Sequence, residues 1–395
     1  MDPVRNPFTP GAGQPPTALV GRVSEVAAAR TTMARLESHR QARGAVFLGV
    51  QGVGKAVLLN EVRRQATTRG WIIAKVEASS GYPFRSAIAQ GFNASLRSAT
   101  GRHQPATLSR SLAVFKAFSL ASSPDGSLAL GIDVEASRGI ADTGNLEIDL
   151  TELLGELGST AASLNIGVAL IVDELHALGD NEIASLCGAL HDTAQHGLPV
   201  TMFGAGLPNL GSALSNAKSY AEHLFDIKTI EPFTDEVAAE MLTAATTTER
   251  VGWTGDAIRI VLNAARGYPY FLQVYGKHVW DFALASPITG SDARAGVAAG
   301  EAYLARSFFG SRWNRTTPAQ QQYLTVLANL ETNENRASTS LIAESLNRSL
   351  GTLSSTRDQL LRKSLIYAPD RGTVAFTTPG MSTFVRAKQK TVTGE

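Results

Sequence analysis

The chain has 395 residues, 44% of them hydrophobic and 18% charged; this excludes a disordered tail, a collagen or a coiled-coil rod and, at about 100–200 residues per domain, predicts two or three domains. Its 36 Lys+Arg nearly balance 35 Asp+Glu, which excludes a uniformly basic binder of nucleic acid or anionic lipid. The balance is uneven: residues 311–395 hold 11 Lys+Arg against 6 Asp+Glu, a net of +5, which leaves −4 on residues 1–310.

Five prolines and two glycines in residues 1–17 predict an extended N-terminal arm, with no signal-peptide pattern at the start. Ser24–Leu36 reads as a helix, Gly44–Val50 as a short buried parallel strand and Trp71–Val76 as a second strand after an intervening helix, so the order is that of a βαβ unit. Within residues 108–160 the alternation of strand and helix breaks. Val114–Leu120 and the alternating run Leu128–Val134, separated by Ser-Ser-Pro-Asp-Gly, predict a β-hairpin insertion near 108–140. Gly167–Val172, Leu198–Phe203 and Phe225–Ile230 complete an expected α/β core, a mainly parallel five-strand sheet. Cys187, the single cysteine, stands in an apolar stretch and reads as a small core residue in a reducing, cytoplasmic protein.

From Thr234 the pattern turns helical, with apolar residues at three- and four-residue spacing in Asp235–Thr246 and Gly255–Ala265. The last 85 residues predict helices at Gln320–Leu330, Ser340–Leu346 and Ser354–Leu365, then a two-stranded wing around Pro369–Gly372, the pattern of a winged helix-turn-helix. The expected organisation is therefore an arm (1–17), a P-loop core (18–232), a helical lid (233–305) and a winged-helix domain (306–395). No apolar run approaches the roughly 20 residues of a membrane span, so no membrane partner is expected.

Between the first strand and its helix stands Gly49-Val50-Gln51-Gly52-Val53-Gly54-Lys55-Ala56, followed by Val57. It fills every fixed place of G-x-x-x-x-G-K in the strand-to-helix context that motif requires. Glycines let backbone N–H groups converge on one anion, the helix N-terminus adds positive potential, and Lys55 is placed to reach β- and γ-phosphates. At the eighth position the motif calls for a hydroxyl that binds Mg²⁺; Ala56 has none, so metal binding and hydrolysis are expected to be weakened while ATP or ADP still binds.

Leu170-Ile171-Val172-Asp173-Glu174 delivers two carboxylates at the C-terminal end of an apolar strand, where open parallel sheets bind ligands. Asp173 is the expected Mg²⁺ ligand and Glu174 the group that polarises an attacking water. His176 has no companion at metal-ligand spacing and reads as a surface or supporting histidine. Between Leu198 and Thr248 there is no arginine, so a finger of the type that completes a neighbouring subunit's site is not visible there, which favours a slow switch over a constitutive ring motor.

The order Val20-Gly21-Arg22 with Glu25, the phosphate loop, Asp173-Glu174, Gly267-Tyr268-Pro269 and a terminal winged helix resembles the AAA+-like ATPases of the STAND and origin-recognition initiator groups. It is most similar to actinobacterial ATP-binding members with the segment Ala217-Lys218-Ser219-Tyr220-Ala221-Glu222. The resemblance implies that Val20, Gly21 and Arg22 lie near the adenine and that Pro269 touches the base from the lid; read without it, Gly267-Tyr268-Pro269 is an ordinary helix stop. Initiator-type members place a lid arginine shortly after this glycine; here Tyr270 stands near that place and Arg266 precedes it.

In a winged helix the second helix of the turn enters the major groove. Ser354, Ser355, Thr356, Arg357, Gln359, Arg362 and Lys363 fall on that helix and Arg371 on the wing, a set that serves double-stranded DNA or, equally, a protein contact. The sequence thus predicts an ATP-binding switch with weak Mg²⁺-dependent hydrolysis. Its alternatives are a winged-helix DNA-binding protein with a regulatory ATPase core and a partner-binding scaffold.

Overall fold

The structure is a computed structural model and describes residues 1–395 apart from 12, 18, 80, 123–133, 333–335 and 394–395. It divides into two units, one of residues 22–48 and 55–229, the other of residues 1–21, 49–54 and 230–395.

The first unit is an α/β sheet assembly. Its elements in order are α1 (Val23–Glu37), β1 (Gly44–Leu48), α2 (Lys55–Thr68), β2 (Ile72–Glu77), α3 (Phe84–Thr100), α4 (Pro105–Ser122), α5 (Leu146–Ser163), β3 (Val168–Asp173), α6 (Asp180–Gln195), β4 (Val200–Gly206), α7 (Leu210–Ala217), α8 (Ala221–Leu224) and β5 (Phe225–Thr229). The strands stand in the order β2-β3-β4-β1-β5, and every pairing is parallel. All five residues of β1 and all seven of β4 are buried, as expected for strands covered on both faces. β5 lies at an edge and exposes Asp226, a charge of the kind that blunts open edges.

Leu198–Phe203 falls short of the observed strand, which continues through Gly204-Ala205-Gly206. A Cβ at Gly204 would meet Leu175 Cδ1 at 2.2 Å and one at Gly206 would meet Leu210 Cδ2 at 2.5 Å, so these small residues let β4 run on beneath its neighbours. Cys187 is fully buried in the core of this unit, and burial pushes its thiol up to about 11.

The expected β-hairpin is corrected. Val114–Leu120 lies inside α4, with Leu108, Leu112, Phe115 and Phe118 buried at helical spacing; the other arm, Leu128–Val134, falls outside the described residues except for Val134. The run of apolar residues satisfies a period near 3.6 better than one of 2, and α4 packs beside α5, where Ser111 Oγ meets Thr160 Oγ1 at 2.6 Å.

The second unit holds α9 (Asp235–Thr247), α10 (Gly255–Ala265), α11 (Pro269–Phe282), α12 (Gly290–Tyr303), a π-helical turn at Leu304–Phe309, α13 (Gly310–Asn314), α14 (Pro318–Leu330), β6 (Ala337–Ser338), α15 (Thr339–Ser345), α16 (Leu350–Arg362), β7 (Ile366–Tyr367), β8 (Thr373–Phe376) and α17 (Met381–Thr393). β7 and β8 pair antiparallel, and β6 adds a third strand on the other side of β8, where two strands were expected. The last helix, α17, goes beyond the predicted elements.

The N-terminal arm is strapped to α11. Trp280 Nε1 donates to the Asp2 carbonyl at 2.9 Å, Asn6 Nδ2 to the Lys277 carbonyl at 3.0 Å, and the Thr9 N–H to Gln273 Oε1 at 2.8 Å. Phe8 is 2% exposed and meets Trp253 edge-on, with ring centroids 6.3 Å apart. Gly276 makes room for it, since a Cβ there would sit 2.5 Å from the Phe8 ring. Among the described residues no helix is long and apolar enough to cross a membrane.

Candidate nucleotide site

In the sheet unit, Lys55 opens α2 with only 7% of its surface exposed. Burial lowers its pKa, and the charges of Glu174 and Asp173 oppose the fall. Those two carboxyls are raised, first by their own burial. Glu174 and Glu77 add to the rise at Asp173, whereas the Glu174 N–H, which donates to Asp173 Oδ1 at 2.9 Å, and Lys55 work against it. Glu77 ends β2 directly in register with Asp173. Two half-buried carboxyls beside one buried lysine, with exposed Glu77 next to them, leave the group short of positive charge, and partial burial makes that shortage costly.

Glu174 adopts φ 54°, ψ 33°, a left-handed conformation unusual outside glycine that concentrates at functional positions. The turn carries the chain into a 3₁₀ segment, Leu175–Ala177. His176 is half-buried rather than superficial. The Leu207 N–H donates to its Nδ1 at 3.4 Å, so the ring proton belongs on Nε2, 3.3 Å from Glu174 Oε2. That approach is close but misaligned, because Nε2 makes no hydrogen bond. Burial, helped by the Lys55 charge, lowers the His176 pKa to about 4, so the contact is polar rather than an ion pair at neutral pH.

The loop that precedes Lys55 belongs to the second unit. Gly52 and Gly54 hold φ values of +87° and +95°, backbone that side-chain-bearing residues rarely adopt. Gly49 is needed for a different reason: a Cβ there would meet the Ile230 carbonyl at 2.7 Å and Val53 Cγ2 at 2.9 Å. The Tyr270 N–H donates to the Gly52 carbonyl at 3.2 Å, and Pro269 Cγ lies 4.0 Å from where a Cβ on Gly54 would be. Pro269 thus stands against the phosphate loop at the first turn of α11. Arg266 and Gly267 both hold positive φ, so the segment is also a true helix stop, ending α10 before Pro269 starts α11.

Gln51 carries contacts that the sequence did not announce. Its N–H donates to the Thr377 carbonyl at 2.9 Å, while its Oε1 accepts from the Thr378 hydroxyl at 2.9 Å and from Arg312 Nη2 at 3.3 Å. Arg312 is fixed in turn: its Nη1 donates to the Phe308 carbonyl at 3.0 Å, and its guanidinium lies 3.9 Å from the centroid of the Phe308 ring. Tyr270 packs against the same ring, 4.9 Å between centroids. Burial lowers the Arg312 pKa, with Tyr270 opposing.

The remaining predicted residues fall as follows. Val20 is half-buried on the core of the second unit. Gly21 has φ +69°, and a Cβ there would sit 2.4 Å from Val237 Cγ1. Arg22 caps α1 in the sheet unit, and Ala56 and Val57 lie in the first turn of α2, both half-buried. Each unit therefore gathers its own subset: Lys55, Asp173 and Glu174 in one, Gly49–Gly54 with Pro269 in the other.

The loop has the positive-φ glycines that fit a nucleotide phosphate; in the other unit the acid-rich group around Lys55 is short of cations. Asp173, a carboxylate in a group short of cations, is of the type that would hold Mg²⁺ together with phosphate and water; among the described residues no three His, Cys, Asp or Glu form a closed metal cage.

Residues 18–203 match the family model described as an AAA ATPase domain, and residues 306–385 match one described as a domain of unknown function, DUF8462. No curated protein matches the chain. Among solved structures, a Walker-type ATPase of Pyrococcus abyssi is similar at 15% identity and a TM-score of 0.57, over 94% of this chain and 98% of that one. The Cdc6p of Pyrobaculum aerophilum is similar at 11% identity and a TM-score of 0.47, over 100% and 98%. The RuvB Holliday junction branch migration motor of Thermotoga maritima is similar at 15% identity and 0.44, over 93% and 95%. The first of these shares the fold: an α/β P-loop NTPase with a five-strand sheet. Over residues 18–203 the chain is thus similar to AAA ATPase domains, and nucleotide binding is the activity that similarity implies.

Proposed function

We propose that the protein is an ATP-binding switch that passes the state of its phosphate loop to the C-terminal domain. In this reading residues 18–232 form the nucleotide core with the loop and Lys55 on the phosphates, 233–305 a lid with Pro269 at the base, and 306–395 a winged helix, with residues 1–17 as an arm. Val20, Gly21 and Arg22 line the adenine side. The observation that carries the reading is the set of three hydrogen bonds at Gln51, inside the loop: one donated to Thr377 and two accepted from Thr378 and Arg312.

Mg²⁺, when bound beside the phosphates, neutralises charge that develops on the transferred group. Asp173 holds that side of the site and Glu174 accepts a proton from the attacking water. Ala56 offers no hydroxyl, so turnover is slow and occupancy, not hydrolysis, sets the state of the switch. The test is ATP binding to the full chain with hydrogen exchange of residues 306–385 followed in parallel. Binding lost in Lys55→Ala and exchange that responds to ATP in the unaltered chain support the reading; exchange indifferent to bound ATP sinks it.

A second reading, contact of the C-terminal domain with double-stranded DNA, draws support from the +5 charge of residues 311–395 and from exposed Arg371 between β7 and β8. It narrows the groove-facing set, because Gln359 accepts from Gln320 Nε2 at 2.7 Å and Lys363 Nζ donates to the Arg315 carbonyl at 2.7 Å. Duplex binding across a salt series decides it: a flat dependence of log affinity on log salt excludes phosphate contacts.

A further inference from the structure

At the amino-terminal end of the sheet, opposite the end that bears Asp173, the starts of β1, β4 and β5 and the C-terminal parts of α1 and α6 line an open cavity of about 500 Å³. That volume lies in the range of small-molecule sites, about 300–1,000 Å³. Its floor is apolar, with Leu190, Val200, Met202 and Phe225 each buried. One polar atom interrupts the floor. Thr201 is 3% exposed, and its hydroxyl finds no hydrogen-bond partner. A buried hydroxyl left unsatisfied costs stability and calls for a visitor that completes it.

Space over that hydroxyl is kept by Gly44, where a Cβ would lie 3.1 Å from Thr201 Oγ1 and collide with the Met202 carbonyl at 2.2 Å. Arg35 and Arg43 stand at the rim with His223, against a single carboxylate, Asp226. Arg35 is oriented by its own loop, since Nε and Nη2 both donate to the Gln41 carbonyl at 3.2 and 3.1 Å. An apolar floor, one buried hydroxyl and two guanidinium groups at the mouth define what fits: a small organic anion whose apolar body enters and whose carboxylate or phosphate remains at the arginines.

We propose that this cavity is a binding site for such an amphipathic anion, separate from the phosphate loop. Because β1 leads from Gly44 at the cavity to the residue before Gly49, the ligand occupies the opposite end of the strand that feeds the loop.

The experiment uses the full chain with saturating ADP, and three probes of one shape: phenyl phosphate, benzoate and uncharged benzyl alcohol, followed by ligand-observed NMR titration. Either anion binding at least about tenfold tighter than benzyl alcohol, with Arg35→Ala/Arg43→Ala removing that preference, is the expected result; which anion prevails identifies the head group. Thr201→Val, which keeps shape and removes the hydroxyl, is expected to weaken the preferred probe several-fold while circular dichroism and the unfolding transition stay native-like. Absence of binding, equal binding of all three probes, or anion binding that the double arginine variant leaves unchanged overturns the proposal. The last outcome includes capture by the phosphate loop, so it does not bear on ATP binding itself.

Discussion

The Thr378 hydroxyl donates to Gln51 Oε1 at 2.9 Å although 327 positions separate the two residues in sequence. A loop whose backbone is shaped to receive phosphate is thereby also part of the packing of the C-terminal domain. Any rearrangement of Gln51 has to break or re-form this bond together with those to Arg312 and Thr377.

Gln51→Leu keeps the side-chain volume and removes the acceptor. Leaving the Thr378 hydroxyl and the Arg312 guanidinium without it should destabilise the second unit by about 1–3 kcal/mol, seen as a lower denaturant midpoint. Hydrogen exchange of residues 306–385 should also cease to respond to ATP. A variant with unchanged midpoint and an intact ATP response would show that the contact transmits nothing.

Ala56→Thr restores the hydroxyl at the place where the motif binds Mg²⁺. Steady-state phosphate release should rise by roughly tenfold or more with Mg²⁺ and remain flat in EDTA. Equal, near-zero rates in both forms would move the bottleneck to the charge shortage around Lys55.

Burial and Glu77 hold the Glu174 carboxyl above its usual range. The folded chain therefore keeps this proton to higher pH than the unfolded chain does, and stability falls as pH rises from the ordinary carboxylate range through the raised pKa. Glu174→Gln removes that loss. It should raise stability at pH 8, and the gain should vanish as pH falls below the ordinary carboxylate range. Thermal melts of both forms across this range check the sign.

Phe8→Ala empties a site at which Trp253 and Gly276 are fitted to a ring. A loss of about 3–5 kcal/mol is expected for truncating a buried phenylalanine, expressed in the unfolding of α11 and its neighbours. Little change on melting would mean that the arm rests on the helix without supporting it.

The five strands and the phosphate loop were legible because their signals are local: continuous apolar runs such as Val168–Val172, and glycines at fixed spacing before Lys55. Local signals also misled. Val114–Leu120 has the apolar density of a strand, yet its burial follows helical spacing once Leu108 and Leu112 are included. Phe8 and Gln51 were opaque for another reason: neither residue type is unusual where it stands, and each takes its meaning from a partner hundreds of positions away, Trp253 for Phe8 and Thr378 for Gln51. His176 was half legible, its proximity to Glu174 evident from sequence and its burial set by the small residues at the end of β4.

Cys187 gives the sheet unit a built-in reporter. The thiol is the chain's single cysteine, is fully enclosed and is pushed up to about 11 by burial, so alkylation at neutral pH proceeds only from molecules whose core has opened. The rate of labelling by a thiol reagent is then a clock for the opening of that core, read at one atom without a probe having to be introduced.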